Sequence, residues 1–139
     1  MELNKESLFD EAMASYQSGT PAEELIKEFE EIVQNSPSNS AAWTCLAWLQ
    51  LLCDKFEPAL RSARTAVKLN GQDPQARINL SLALLETNSK GVRDNIEFVK
   101  RALLILPELE KELKTSIEDG LTRKPNWGAL SKVKSWLDL

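Results

Sequence analysis

A register of thirty-four residues runs through much of this chain, aligning Phe9 with Trp43 and Arg77, Ala12 with Leu46 and Leu80, and Tyr16 with Gln50 and Leu84. A period in this range marks a repeat architecture, whose units are too small to bury an apolar face alone and must stack on their neighbours. That requirement restricts the fold more tightly than composition does. It also indicates a class of function, since stacked repeats present extended surfaces to other macromolecules.

Within each unit the apolar spacing is helical. Leu8, Phe9, Ala12, Met13 and Tyr16 step by three and four residues over 5–18, and Ser18-Gly19 stops the helix. Thr20-Pro21-Ala22-Glu23 then offers a capping threonine, a proline at the first helical position and a glutamate three residues after the cap. Leu25, Ile26, Phe29, Ile32 and Val33 form the buried face that follows. Turn residues 35–39 lead into a third helix over Ser40 to Cys53, apolar on nearly every side, as expected of a helix lodged between layers. A fourth helix starts near Phe56, with Pro58 in its first turn and Ala59, Ala63 and Ala66 as a small-residue face that lets a neighbour come close. Asp73-Pro74 opens a fifth. The sixth, near 92–106, buries Val92, Ile96, Val99, Leu103 and Leu106, and its landmarks fall two residues late, which places a longer turn at Ser89-Lys90-Gly91.

After Pro107 the register fails, but helical spacing persists over 108–121 and 127–138. An open stack exposes the core face of its last unit and needs an atypical closing element. Trp127, Leu130, Val133, Trp136 and Leu137 are expected to seal it.

These residues resemble the tetratricopeptide repeat (TPR) pattern W-x₂-L-G-x₂-Y, A-x₃-F, then A and P. The first unit has Phe9, Ala12, Met13, Tyr16, Leu25, Phe29 and Pro37; the second has Trp43, Leu46, Ala47, Gln50, Ala59, Ala63, Ala66 and Gly71; the third has Arg77, Leu80, Ser81, Leu84, Asn95, Val99, Ala102 and Pro107. Gln50, Gly71 and Arg77 depart from the pattern. The resemblance implies an all-α, right-handed α-solenoid of three helical hairpins at about 6–39, 40–73 and 74–107, closed by the helix pair 108–121 and 127–138, with 1–139 as a single domain.

It also implies that the first helix of each pair lines a concave groove. Transferred residue by residue, the inward positions are Ser7, Asp10, Glu11, Ala14 and Gln17; Thr44, Cys45, Trp48, Leu51 and Leu52; and Gln75, Ile78, Asn79, Leu82 and Leu85. The family's carboxylate clamp for an acidic chaperone tail is absent, because its positions hold Asp10, Ala14, Cys45, Gln75 and Asn79. The middle of the groove is apolar at Trp48, Leu52, Ile78 and Leu82, and Asp10 and Glu11 make its N-terminal end acidic. The expected partner is a protein or peptide segment with apolar anchors and a basic flank, held most strongly at Trp48, whose replacement by alanine is expected to leave helicity intact. Two alternatives stand beside this reading: the C-terminal helices fold back into the groove, or two copies close on each other as a homodimer.

The chain has no histidine, which removes Ser-His and Cys-His nucleophile pairs, and its five glycines are isolated, so no phosphate-binding loop is present. Catalysis, cofactor binding and a metal centre are not expected. Cys45 and Cys53, eight residues apart on one helix, stand roughly 12 Å apart, too far for a disulfide. Residues 1–36 carry nine acids against two bases and the remainder twelve against fifteen, consistent with the overall charge of −4. The acidic end argues against nucleic acid; Lys132, Lys134, Trp127 and Trp136 are the sole support for an RNA-binding reading. No apolar run is long enough to span a membrane, and the first residues lack the order of a secretory signal, which points to the cytoplasm. The expected function is a noncatalytic adaptor or assembly factor.

Overall fold

The computed structural model describes residues 5–139, with side chains from Leu8 onward. Ser7, expected on the groove, lies outside the described side chains. Eight helices follow one another: α1 (Lys5–Gln17), α2 (Ala22–Asn35), α3 (Ser40–Leu52), α4 (Phe56–Leu69), α5 (Pro74–Glu86), α6 (Val92–Ile105), α7 (Leu109–Arg123) and α8 (Gly128–Trp136). The first six pack as successive antiparallel pairs, each pair also stacked on the next through α2 against α3 and α4 against α5. This is a helical-repeat solenoid.

Local chemistry accounts for most of the boundaries. The Asn39 side chain accepts from the Ala42 amide at 3.1 Å to open α3, and Asp73 accepts from the Gln75 amide at 3.0 Å ahead of Pro74 to open α5. Between α5 and α6 the chain uses the longer turn read from the sequence and enters α6 through Gly91 at φ 111°, a left-handed conformation that favours glycine. At α2 the expected threonine cap is not made. Pro21 itself is the capping residue, without a side-chain bond, and the Thr20 carbonyl instead accepts from Arg123.

Two apolar clusters result. Ala12 joins the α2 stripe Leu25, Ile26, Phe29, Ile32 and Val33 and the α3 residues Ala42, Leu46 and Leu49; the other face of α3 joins α4 to α8. α3 therefore lies between layers, which explains its apolar circumference. The alanine face of α4 is closed completely, with Ala59, Ala63 and Ala66 each at 0% exposure.

The departures from the repeat pattern have physical reasons. Gln50 stays buried because its side-chain carbonyl accepts from the Ser62 hydroxyl at 2.7 Å, joining α3 to α4. Gly71 and Arg77 are coupled: the Arg77 guanidinium donates to the Gly71 carbonyl at 3.0 Å and to Asn95 at 3.1 Å, and lies 4.6 Å above the Phe98 ring. A Cβ on residue 71 would come within 3.2 Å of that guanidinium.

Not every position expected on an apolar face is buried: Leu8 on α1 and Leu69 at the end of α4 are exposed. Leu106 is exposed, together with Leu104 and Ile105, because α6 leads into α7 but packs on it only lightly. Trp136 is also exposed, while Trp127, Leu130, Val133 and Leu137 are buried as expected. α8 is amphipathic, and the tryptophan falls on its outer face.

Candidate partner-binding cavity

α7 and α8 do not extend the stack; they return over its concave side. α8 packs on α5, so Ile78 and Leu82, both 0% exposed, share one core with Leu130 and Val133 instead of facing an open groove. Trp48, at 7% exposure, meets Trp127 at a ring separation of 5.6 Å. The continuous apolar furrow expected at Trp48, Leu52, Ile78 and Leu82 is thus largely filled from within, because the apolar stripes of α7 and α8 are buried against the equally apolar surfaces of α3 and α5.

Part of the groove stays open. A cavity of about 490 Å³ remains between α1, α3, α5 and α7, lined among others by Met13, Tyr16, Gln17, Thr44, Cys45, Trp48, Gln75, Asn79, Glu112, Ser116 and Asp119. Six expected groove residues, Gln17, Thr44, Cys45, Trp48, Gln75 and Asn79, come together on its wall. Leu52, half-buried, faces a second depression beside Cys53, Asp54 and Arg123, and Asp10 is exposed outside both.

The floor combines polarizable apolar atoms with a satisfied polar frame. Cys45 Sγ lies 3.3 Å from Met13 Sδ, and burial, aided by Asp73, pushes its thiol up to about 12. Asn79, fully buried, donates to the Thr44 carbonyl at 2.9 Å and accepts from Gln75 Nε2 at 2.8 Å. Its first duty is therefore to tie α5 to α3, and its amide is already committed.

At the far end a polar clasp holds α7 down. The Tyr16 hydroxyl donates to Asp119 and accepts from Trp48 Nε1 at 2.7 Å. Burial, then Asp119, drive the phenol well above the usual tyrosine range. Arg123 lies 3.9 Å above the Tyr16 ring and donates to the carbonyls of Tyr16 at 2.6 Å, in the last turn of α1, and of Thr20 at 3.1 Å, just past its end. Lys124 donates to the Leu51 carbonyl at 3.2 Å and to Asp54, near the end of α3.

Among the described residues the charged lining of the cavity is acidic, Glu112 and Asp119, and Asp119 is paired with Arg123 at 3.3 Å. Glu112, Thr115, Ser116 and Asp119 were not foreseen. They share a polar stripe on α7 that could be read from their spacing, but nothing in the sequence says which helix that stripe meets. Among the described residues, no group of three or more histidine, cysteine, aspartate or glutamate side chains could hold a metal ion, and no helix is long and apolar enough to cross a membrane.

No protein-family model matches the chain, and no curated protein matches its sequence. Solved structures do match in shape. MamA is similar over 96% of this chain and 76% of its own, at 17% identity and a TM-score of 0.61. The first TPR domain of Spaghetti (RPAP3), solved bound to the HSP90 peptide SRMEEVD, is similar over 97% of this chain and 94% of its own, at 18% identity and a TM-score of 0.55. The fold is TPR-like; at these identities the likeness speaks for the fold alone.

Proposed function

We propose that this TPR-like solenoid is a noncatalytic protein-interaction module whose open cavity takes an apolar side chain of a partner segment flanked by basic residues. One observation carries the reading: a concave cavity lined by Met13, Cys45 and Trp48, whose charged lining among the described residues is Glu112 and Asp119. An apolar anchor gains by leaving water there, and a cation beside it meets the Glu112 carboxylate. The scaffold is held in shape by its own hydrogen bonds, so binding costs the receptor little ordering. Thr44 and Asn79 shape the wall.

The peptide bound to the Spaghetti domain ends in acidic residues. An acidic terminus entering this cavity would face Glu112, while the nearby Arg123 is already paired with Asp119 at 3.3 Å, so the reading excludes that ligand class. Cytoplasmic placement and the adaptor role belong to the same proposal.

Selection of linear segments on the full chain tests it, with Cys45→Phe, which fills the cavity, as the control. Recovered segments should carry an aromatic or aliphatic anchor next to lysine or arginine, and Cys45→Phe should weaken their capture by about 2 kcal/mol. Acidic segments, or capture indifferent to the filled cavity, would reject the reading. The self-capped alternative is favoured by one observation, the packing of Trp127 on Trp48, and it applies to the filled part of the groove.

A further inference from the structure

The turn between α4 and α5 places an asparagine directly before a glycine, Asn70-Gly71. Of the eight asparagines in the chain, no other is followed by glycine. The amide nitrogen after an asparagine is a nucleophile within reach of the asparagine side-chain carbonyl. A side chain on the attacking residue hinders that approach, and glycine has none. A helix prevents it, because its backbone is fixed and its amides are already bonded. Asn70 stands just beyond α4, at φ −147° and ψ 88°, and is exposed.

The local bonds favour the attack. Asn70 Oδ1 accepts from the Gln72 amide at 3.1 Å, a turn whose hydrogen bond closes a ring containing both the Asn70 Cγ and the Gly71 nitrogen. The same bond polarises the carbonyl toward the electron pair it must take up. Among the described residues the Gly71 N–H donates to no acceptor, so no hydrogen bond has to break before it gives up its proton. Asn79 and Asn95 are the contrast: both are buried within helices, with their side-chain amides donating to the Thr44 and Gly91 carbonyls.

We infer that Asn70 is a self-modification site whose product releases the Arg77 clamp. The Gly71 nitrogen bonds to Asn70 Cγ, the Cγ–Nδ2 bond breaks, and ammonia leaves with the proton from Gly71; water then opens the cyclic imide at either carbonyl. Opening at one carbonyl leaves an aspartyl residue. Opening at the other leaves an isoaspartyl residue, in which the main chain runs through Cβ and Cγ and is longer by a methylene. That extra length falls just before a carbonyl that is held in place. Arg77 donates to the Gly71 carbonyl at 3.0 Å and to Asn95 on α6 at 3.1 Å while lying over Phe98. Moving the Gly71 carbonyl costs a partly buried guanidinium one of its acceptors, and the turn between the second and third hairpins is held less firmly. The inference is independent of the cavity, which neither Asn70 nor Gly71 lines.

The test ages the full, unsubstituted chain in mildly alkaline buffer and maps its peptides by mass spectrometry, with isoaspartyl methyltransferase labelling to detect the isomer. Position 70 should gain a single mass unit at least tenfold faster than any other asparagine, with the isoaspartyl form as the larger product. The aged chain should melt at a lower temperature than the fresh one. Asn70→Gln should neither take the label nor lose stability over the same period, and Asn70→Asp, which adds the charge without lengthening the chain, should melt as the fresh chain does. A position 70 left unaltered in the folded chain would overturn the site, whether or not urea exposes it to conversion. Conversion without loss of stability, or an Asn70→Asp chain destabilised as much as the aged one, would overturn the release of Arg77.

Discussion

Trp48 shows how much a residue's role depends on what covers it. As a groove residue it would be replaceable without harm to the fold; packed against Trp127 and donating to Tyr16, it is a core residue with one edge on a cavity. Trp48→Ala should cost about 3–5 kcal/mol in denaturant unfolding, in the range of other large-to-small core changes. Cys45 and Tyr16 make a related point about protons. Both groups hold their protons more tightly in the folded chain than in the unfolded one, so the unfolded chain releases them first as pH rises. Stability should be intact below the ordinary thiol range and fall from about pH 9 upward, and Cys45→Ala should shallow that fall in unfolding measured against pH. Thiol labelling near neutral pH should modify Cys53 well before Cys45, because Cys53 is the more open of the two and the Cys45 thiolate is scarce.

Among the elements, α7 depends most on a single small residue. A Cβ on Gly120 would stand 2.7 Å from Leu130 Cδ2 and 2.8 Å from the Trp48 ring, so glycine is what lets α7 lie between α8 and α3. Alanine is normally worth about 1 kcal/mol over glycine inside a helix. Here the sign should reverse, with Gly120→Ala lowering stability by about 1–3 kcal/mol through overpacking and speeding amide exchange in α7. The polar departures of the middle hairpins behave as a set for the same reason of space. Arg77 fits because Gly71 has no side chain and Asn95 offers an acceptor, which is why an arginine can stand where the repeat pattern has a large apolar residue.

At the scale of the whole molecule, the helix pair α7–α8 converts an open stack into a largely closed one. Removal of residues 108–139 should uncover Trp48, Ile78 and Leu82 and yield a chain that associates in light scattering and binds a hydrophobic dye, as expected of a large exposed apolar patch. The sequence by itself determined the helices, the cap at Asp73, and the buried stripes of α2 and α4, because these follow from spacing and chemistry within a few neighbouring residues. It did not determine the cavity. Apolar spacing shows that a face is buried but not by what, since the hydrophobic effect has no direction. The partners in the clasp lie far apart along the chain, Tyr16 with Asp119 and Arg123, Leu51 with Lys124, and no local pattern announces such pairs. Once the thirty-four-residue register ends, only the mutual fit of faces in three dimensions decides where the last two helices go, and that decision divides the groove into a filled part and an open one.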